Sequence, residues 1–389
     1  MADAPENRSQ GLLPAGLSDL MPGDARREAE AIGKIMASFA AFGYDRVKPP
    51  LVEFEDTLLA DGPGVALAAD TFRVMDPLSS RMMAIRADMT AQIARIAETR
   101  LHHMPRPLRL CYSGDVLRIR PDPLNPERQL TQVGAEMIGA SNAYHDAELA
   151  VAALHALDHA GIAHLTIDLG VPRLLEAIAG EKPDDKLAQA VAAKDHALVR
   201  RHGGRLADIL TSLLDIPMIS PGKLDEETRE RSKGLATEAA DMIAGLLKVA
   251  GLIRSAAPKV SVTLDPLESR GFDYHHGIGF SIFAPGIRGE LGRGGRYRTT
   301  TVNGSGEDST GVTLYLERVM RALPQSRESM AVYVPHAAGL KTLVRLVEEG
   351  ETCRFGTSEA GDDNARTEEA KAMSCRRIYR DGKVILLDE

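Results

Sequence analysis

The sequence from residue 112 to residue 136 reads Y-S-G-D-V-L-R-I-R-P-D-P-L-N-P-E-R-Q-L-T-Q-V-G-A-E. Apolar and polar residues alternate through 108–119 and again through 129–138, and the segment between these runs contains three prolines. This pattern predicts a β-hairpin with a long tip. Because successive side chains on a strand point to opposite faces, residues at even spacing share one face. Four polar side chains on or beside the predicted strands have that spacing: Arg118, Arg128, Gln132 and Glu136.

Two cations, an amide and a carboxylate on one face of a hairpin have two interpretations. They suit a small zwitterion or a nucleotide better than a macromolecule. Half-exposed strands also carry charged residues that only contact water. The spacing by itself leaves both interpretations open.

The composition is that of a globular protein, and the length predicts two domains. The chain has 389 residues, of which 44% are apolar and 26% charged, so it can form one large core and a smaller domain. A net charge of −8 gives no general attraction for polyanions, and nucleic-acid binding is not expected. The three cysteines are far apart and form no CxxC motif, which indicates neither a disulfide framework nor a zinc site.

The remaining motifs suggest no metal and no cofactor. His102-His103 and His275-His276 are adjacent pairs, whereas two metal ligands on one helix face are spaced i, i+4. The G-R-G-G-R-Y sequence at 292–297 lacks the Lys-Ser/Thr of a P-loop, and we interpret it as a turn that links two strands.

The N-terminus and the hydropathy predict a cytoplasmic protein. The first ten residues contain neither a basic start nor an apolar core, so we expect them to be disordered rather than a targeting signal. No apolar run reaches the roughly 18 residues that a membrane span needs.

Periodicity and turn residues predict a mixture of helices and strands around the hairpin. The elements predicted before residue 170 are a helix at 24–42, strands at 44–52, 72–75 and 82–86, a helix at 90–100, the hairpin, a helix at 144–160 and a strand at 165–168. Asp24 is expected to cap the first helix. Pro49-Pro50 interrupts the 44–52 strand, which favours a sheet edge or a contact with another subunit. Residues 170–255 are predicted to be an almost wholly helical, structural insert.

The C-terminal segment, from about residue 328, is predicted to form a small α/β unit. Its expected elements are a strand at 331–334, helices at 340–348 and 365–373, and strands at 376–379 and 384–387. It contains 12 Asp and Glu against 9 Lys and Arg, and this charge would oppose tRNA binding.

Several motifs, in order, resemble histidyl-tRNA synthetase, a class II aminoacyl-tRNA synthetase. The segment 42–53, with Pro50, is similar to the first class II motif, and I-R-A-D-M-T at 85–90 stands where the synthetase has Leu-Arg-Pro-Glu-x-Thr. The hairpin occupies the place of the second class II motif. S-R-G-F-D-Y at 269–274 is similar to the histidine-specific Arg-Gly-Leu-Asp-Tyr-Tyr segment. G-G-R-Y at 294–297 matches the loop after it, and L-E-R at 316–318 matches the third motif.

The resemblance covers nearly all of residues 10–322, and it is closer still to the regulatory subunits of ATP phosphoribosyltransferase, which do not aminoacylate. It implies an α+β fold with a six-stranded antiparallel sheet and flanking helices. The implied domains are a synthetase-like domain at 1–325, with the helical insert at about 170–255, and a shortened C-terminal α/β domain at 326–389.

The resemblance also implies a histidine-binding site. A buried polar group without a partner costs about 1–3 kcal/mol, so bound histidine needs partners at its ammonium, its carboxylate and its ring. Asp88 and Thr90 would meet the ammonium, Gln132 and Arg270 the carboxylate, and Glu136 with Tyr274 the imidazole. Arg118 is retained from the second motif and completes the set, although pairing with a local carboxylate is an equally good interpretation of it.

The residues that would bind ATP depart from the synthetase pattern. Arg120 stands where the synthetase has a Glu that binds adenosine. The loop positions of its Gln, Gly and Arg are occupied by Pro123, Asn125 and Pro126. Tyr315 replaces a small Gly, and a ring added to a close-packed site costs on the order of 1–3 kcal/mol or closes the site.

The resemblance therefore implies a non-catalytic subunit that binds histidine without activating it. It implies that the chain forms a self-dimer around Pro50 and supports the short catalytic subunit of ATP phosphoribosyltransferase, in a hetero-octamer that mediates feedback by L-histidine on histidine biosynthesis. The alternative is a divergent histidyl-tRNA synthetase.

Overall fold

The structure is a computed structural model, and it describes residues 12–60, 64–121, 126–140, 142–218, 221–272, 274–299, 306–324, 330–357 and 362–387. The N-terminal residues expected to be disordered lie outside this part of the chain. Two compact units are present, Met1–Leu323 and Pro324–Glu389. The sequence puts the domain boundary two residues later, between 325 and 326.

The first unit contains helices and strands in mixed order. Its strands are β1 (Asp45–Arg46), β2 (Val52–Phe54), β3 (Arg73–Met75), β4 (Met82–Ile85), β5 (Leu108–Leu117), β6 (Gln129–Ile138), β7 (Thr166–Gly170), β8 (Ser261–Leu264), β9 (His275–Phe283), β10 (Gly292–Arg298) and β11 (Asp308–Tyr315). Its α-helices are α1 (Pro22–Ala41), α2 (Glu55–Leu58), α3 (Thr90–Thr99), α4 (Ala143–Ala160), α5 (Leu174–Ala179), α6 (Asp185–Ala192), α7 (His196–His202), α8 (Ala207–Leu214), α9 (Leu224–Arg231), α10 (Thr237–Ala256) and α11 (Leu316–Ala322).

An eight-stranded sheet with the order β1-β5-β6-β11-β10-β9-β7-β8 forms the centre of the unit. The six strands from β5 to β7 in that order pair antiparallel, as the resemblance implied. The implied count of six is too small, because β1 and β8 add a parallel strand at each edge. The α+β class is confirmed.

Prolines divide the strand predicted at 44–52. Only Asp45–Arg46 pairs with the large sheet, at its edge, and Val52–Phe54 joins a separate three-stranded sheet with the order β2-β4-β3. Pro49 and Pro50 lie between the two strands and cannot donate to a ladder, so the chain leaves one sheet there and enters the other.

Helix α1 begins two residues earlier than predicted. Its N-cap is Met21, and Pro22 occupies the first turn, where a missing N–H is tolerated. Asp24 is therefore not the cap but a first-turn acid, paired with Arg27 at 3.2 Å. A carboxylate there still favours the helix through the helix dipole.

Helices α1, α4 and α10 cover one face of the large sheet. Phe39 on α1, Leu149 on α4 and Leu246 on α10 are fully buried, and each such side chain contributes about 1.5–3 kcal/mol. Alanines make α4 narrow enough to lie buried between its two neighbours. The segment predicted as a helical insert consists, where described between Leu174 and Ala256, of helices and short 3-10 turns.

The opposite face is covered only in part. Met89 and Ile93 of the α3 region pack on Leu110 and Tyr112 of β5 in a smaller core cluster. The part of this face formed by β11, β10 and β9 is left for a cavity.

The prediction that G-R-G-G-R-Y is a turn is wrong. These residues form β10 and pair with β11 on one side and β9 on the other. Glycine is required there because the neighbouring backbone and an aromatic ring approach closely. A Cβ on Gly294 would overlap the carbonyl oxygen of Gly311 and the ring of Phe280.

The second unit is a small α/β structure with a four-stranded sheet in the order β13-β12-β14-β15. Its elements are β12 (Val332–Val334), α12 (Gly339–Glu348), β13 (Cys353–Phe355), α13 (Asp363–Ala372), β14 (Arg377–Arg380) and β15 (Lys383–Leu386). Strand β13 has three residues and was not predicted. Across the described parts of both units, no helix combines the length and the apolar character needed to cross a membrane.

Candidate functional site

A cavity of about 500 Å³ opens on the uncovered face of the large sheet. Five of the seven residues predicted to bind histidine line it: Asp88, Thr90, Arg118, Glu136 and Tyr274. The volume is within the range of about 300–1,000 Å³ that is usual for small-molecule sites.

A row of glycines lies beside Glu136 in the sheet, and one of them, Gly311, lines the cavity. Residues that lie directly opposite in paired strands share a face, and here Glu136 on β6 is opposite Gly311, Gly311 is opposite Gly295, and Gly295 is opposite Gly279. A side chain on Gly311 would overlap the Glu136 carboxylate, and one on Gly279 would lie 2.7 Å from the ring of Phe272. The absence of a side chain at 311 therefore makes room for the Glu136 carboxylate, whereas the rings of His275 and Phe272 lie over Gly295 and Gly279.

Glu136 is a fully buried carboxylate held by hydroxyl groups. Its Oε1 accepts hydrogen bonds from Thr90 Oγ1 at 3.1 Å and Tyr112 OH at 3.2 Å, and its Oε2 accepts one from Tyr297 OH at 3.0 Å. Burial raises the pKa of Glu136 to about 8, although these hydroxyls act in the opposite direction. The group can thus exchange a proton with a ring nitrogen near neutral pH.

Asp88 is positioned by the start of α3 and by Gln132. Its Oδ1 accepts the backbone N–H of Thr90 at 2.8 Å, and its Oδ2 accepts the Gln132 amide at 2.8 Å. Gln132 is itself buried, and its Oε1 accepts the backbone N–H of Met89 at 3.1 Å. Gln132 thus lies behind Asp88 and is not among the residues that line the cavity.

Three arginines contribute charge to the cavity wall. Arg120 donates to Asp70 at 2.6 Å, and Arg118 donates to the carbonyl of Ala87 at 3.3 Å. Arg293, which the sequence analysis did not select, also lines the cavity. Together with Asp88 and Glu136 these cations make the site one of mixed charge.

The segment at 269–274 places one predicted residue in the cavity and one outside it. Tyr274 lines the cavity and stacks on His275 with ring centroids 4.4 Å apart. Burial lowers the pKa of His275 to about 3, so its ring is neutral. Arg270 is 64% exposed, its guanidinium lies 3.4 Å from Glu268, and it is not among the lining residues.

The positions that differ from an ATP site are described only in part. Pro123 and Asn125 lie outside the described residues. Tyr315 lines the cavity, with the guanidinium of Arg318 5.1 Å from its ring centroid, and burial raises its pKa to about 12. Arg120, the residue in place of an adenosine acceptor, is engaged with Asp70.

Three contacts in the site were not predicted from the sequence. Tyr112 and Tyr297 hold Glu136, and Arg293 adds a cation. Alternation along the hairpin contained the signal for Tyr112, because it is opposite Gly134 and so shares the face of Glu136. Arg128, which was predicted to share this face, instead lies 4.9 Å from the ring of Phe72 and donates to the carbonyl of Ala15.

A metal centre is not suggested by the side-chain positions. Within the described ranges no three residues of the types His, Cys, Asp and Glu are grouped so that they could hold an ion.

The sheet and the cavity define a histidyl-tRNA synthetase-like class of protein. The family model described as Histidyl-tRNA synthetase matches residues 16–319. A histidyl-tRNA synthetase from Nostoc sp. PCC 7120 has the same fold, with a TM-score of 0.78 and 17% identity over 96% of this chain and 91% of that one. An ATP phosphoribosyltransferase regulatory subunit/histidyl-tRNA synthetase from Bacillus halodurans is similar in fold, with a TM-score of 0.75 and 22% identity over 95% and 98% of the two chains.

Relatives that match over the full length identify the branch of this class. The ATP phosphoribosyltransferase regulatory subunits of Rhodospirillum centenum and Paramagnetospirillum magneticum are each 42% identical to the chain. The first match covers 99% of this chain and 98% of the relative, and the second covers 97% and 99%. The chain belongs to the family of ATP phosphoribosyltransferase regulatory subunits. The prediction of a non-catalytic regulatory subunit rather than a tRNA synthetase is confirmed by these relatives.

Proposed function

We propose that this chain binds the short catalytic subunit of ATP phosphoribosyltransferase in the cytoplasm, supports its activity, and transmits feedback inhibition by L-histidine. The observation that carries the proposal is a cavity with an acid for an ammonium group, a second acid for an imidazole, and cations for a carboxylate. Such a set matches free histidine group by group.

The imidazole would bind against Glu136 and Tyr274. Glu136 is buried, and its side-chain contacts are the hydroxyls of Thr90, Tyr112 and Tyr297. In the described part of the chain no cation is paired with this carboxylate, so a ring N–H that donates to it, or a ring that takes up its proton, would gain a charge-assisted hydrogen bond. An apolar ring of the same size would leave the carboxylate without that gain.

The ammonium would bind Asp88, assisted by the hydroxyl of Thr90. Asp88 is held on both sides, by the start of α3 and by Gln132. Gln132 therefore acts on the ligand through Asp88, as a positioning residue. This preorganisation lowers the entropy that binding must overcome.

The absence of a reaction would follow from residues of the cavity wall that depart from an ATP site. Tyr315 and the pair Arg120–Asp70 line the cavity. A positive charge in place of an acceptor, together with a ring in place of glycine, disfavours a bound nucleotide. The ligand would bind without being activated, which is what a sensor requires.

A self-dimer would use the surface around Pro50. Arg86 donates to the carbonyl of Pro49 at 3.1 Å, and Gln92 donates to the carbonyl of Pro50 at 2.8 Å. The proline segment is thereby attached to the segment that carries Asp88. Exposed apolar side chains lie on it and on the small sheet near it: Leu51, Val74, Met75 and Met82. A second copy would cover these side chains.

Inhibition would require only that histidine bind the inhibited assembly more tightly than the active one. A coupling of about 1–3 kcal/mol is typical of such allosteric pairs. The test is to co-express this chain with a short catalytic subunit, measure the mass of the purified complex, and assay phosphoribosyl-ATP formation by the catalytic subunit with and without this chain.

Co-purification and a large gain in rate are the expected results, with a mass that fits a hetero-octamer. If the two proteins separate on a sizing column at micromolar concentration, or the catalytic subunit is as active alone, the proposed role is wrong. Calorimetry on this chain alone should in addition show saturable L-histidine binding that is lost in Glu136→Ala.

A further inference from the structure

Arg293 is a cation of the cavity wall to which no role has yet been assigned. It lies on β10, directly opposite Thr313 on β11 and Ser281 on β9. Since Gly295, two residues further along β10, is in the row of Glu136, Arg293 shares the face of the sheet that carries Glu136. Its side chain lines the cavity.

The guanidinium of Arg293 is fixed in place without all its donors being used. Its Nη2 donates to Glu290 Oε2 at 2.8 Å, and its Cζ lies 4.7 Å from the ring centroid of Phe272. Among the residues that the structure describes, its buried Nε has no hydrogen-bond partner. Gly271 is needed beside it, because a Cβ there would overlap Nη1. An oriented guanidinium with a donor to spare is suited to a carboxylate.

The distance from Glu136 to Arg293 suits the length of a free amino acid. Ideal sheet spacing puts their Cα atoms two strands apart, roughly 10 Å, and two residues along the strand, about 7 Å. Both side chains lie on the same face of the sheet and line the cavity. Asp88, Glu136 and Arg293 line the same cavity, together with Tyr274.

The other arginines are less well placed to meet a carboxylate. Arg270 is largely exposed and directed to Glu268, and it does not line the cavity. Arg120 is paired with Asp70, as Arg293 is with Glu290, but its side chain is 67% exposed, against 23% for Arg293. Arg118 lines the cavity, but its Nε already donates to the carbonyl of Ala87 at 3.3 Å.

We propose that Arg293, rather than Arg270, binds the α-carboxylate of the histidine ligand and thereby distinguishes the free amino acid from analogues that lack this group. The proposal rests on the proposed function, because it assumes that histidine binds with its ring against Glu136 and its ammonium at Asp88.

The test compares L-histidine with L-histidinol, in which a hydroxymethyl group replaces the carboxylate. Calorimetry on the full-length chain gives the ratio of the two dissociation constants, histidinol over histidine. The wild type should have a ratio of roughly 10 to 100, which corresponds to the loss of one charge-assisted hydrogen bond. In Arg293→Gln the ratio should fall to within about threefold of one, because only histidine loses a partner. Arg298→Gln, at the exposed end of the same strand, is the matched control and should keep the wild-type ratio.

Retained binding of histidinol by Arg293→Gln shows that the pocket is intact, so the collapse of the ratio then supports the proposal. If Arg293→Gln keeps the wild-type ratio, the proposal is wrong. The contradiction is clearest if the ratio falls towards one in Arg270→Gln instead. Should Arg293→Gln bind neither ligand, Arg293→Lys decides: a ratio below that of the wild type supports the proposal, and an equal ratio overturns it. Failure of the wild type to bind L-histidine at all would instead contradict the proposed function.

Discussion

Gly311 and Glu136 lie directly opposite each other in the pairing of β11 with β6, and a Cβ at 311 would overlap the Glu136 carboxylate. The carboxylate occupies the space that a side chain on the neighbouring strand would fill. The glycine at 311 thus makes a buried acid possible in the middle of a sheet, and the hydroxyls of Thr90, Tyr112 and Tyr297 then hold it.

We expect Gly311→Ala to abolish L-histidine binding. The added methyl group must displace Glu136 from its hydroxyl partners, and overpacking of this kind costs about 1–3 kcal/mol of stability. Calorimetry measures the binding, and urea denaturation measures the free energy of unfolding. The matched control is Gly251→Ala on α10, where no atom lies within 4 Å of the new Cβ. That change should leave binding intact and raise stability by up to about 1 kcal/mol. Wild-type affinity in Gly311→Ala would show that the Glu136 position is not needed.

We expect the stability to depend on the protonation of Glu136. Burial raises the pKa of Glu136 from 4.5 to about 8, so between these values the folded protein binds a proton that the unfolded chain releases. The stabilisation of the folded protein that this bound proton provides is complete below about pH 4.5 and is lost as the pH rises through 8.

The free energy of unfolding of the wild type, relative to Glu136→Gln, should therefore fall between about pH 5 and pH 8, by up to about 1.4 kcal/mol per pH unit. Gln has the shape of Glu and cannot titrate. Its NH2 donates where a carboxylate oxygen accepts, which is a pH-independent difference, so the change of the difference with pH isolates the titration of Glu136. Urea denaturation at several pH values measures it. Parallel curves for the two proteins across that range would mean that Glu136 is ionised throughout.

We expect no activation of histidine by ATP. Tyr315 lines the cavity and Arg120 is paired with Asp70, where a synthetase would need space and an acceptor. ATP–pyrophosphate exchange at saturating L-histidine should remain at the level of a blank, while the same preparation binds histidine in calorimetry. Exchange above background that disappears in Arg270→Ala would favour the alternative of a divergent synthetase.

We expect the N-cap of α4 to contribute measurably to stability. The side chain of Asn142 accepts the backbone N–H groups of Tyr144 at 2.9 Å and His145 at 3.2 Å. Asn142→Ala should lower the free energy of unfolding by about 1 kcal/mol, whereas Asn142→Ser should retain most of it, because Ser is an equally good N-cap. Thermal or urea denaturation compares the three proteins. An equal loss in both variants would show that the cap is not the source of the effect.

The hairpin was predictable because its pattern is local. Alternation at 108–119 and 129–138 identified β5 and β6, and with them the shared face of Gln132 and Glu136. Periodicity likewise identified α3 and α4. The resemblance did not predict that Gln132 holds Asp88, because this contact depends on how the start of α3 is placed over the sheet.

Strand β10 was missed for a physical reason, and Arg293 was missed with it. Glycine weakens an isolated strand, so G-R-G-G-R-Y favoured a turn. In the folded chain the same glycines are needed for close packing, which only distant segments such as Gly311 and Phe280 impose. Had the segment been taken as a strand, alternation would have put Arg293 and Tyr297 on the face of Glu136. The predicted length of the edge strand β1 was too great, because the sequence pattern does not show that the chain leaves one sheet and enters another at Pro49-Pro50.

We propose that this pocket is the histidine sensor of an ATP phosphoribosyltransferase complex. The most direct measurement is the rate of phosphoribosyl-ATP formation by the purified complex over a range of L-histidine concentrations, with each rate normalised to that without histidine. The comparison is between wild-type chain and a chain with Asp88→Ala and Glu136→Ala, both shown by mass to be assembled. We expect histidine to inhibit the wild-type complex, and we expect the double variant to need at least about tenfold more histidine for the same inhibition. Equal inhibition of the two assembled complexes would contradict the proposal.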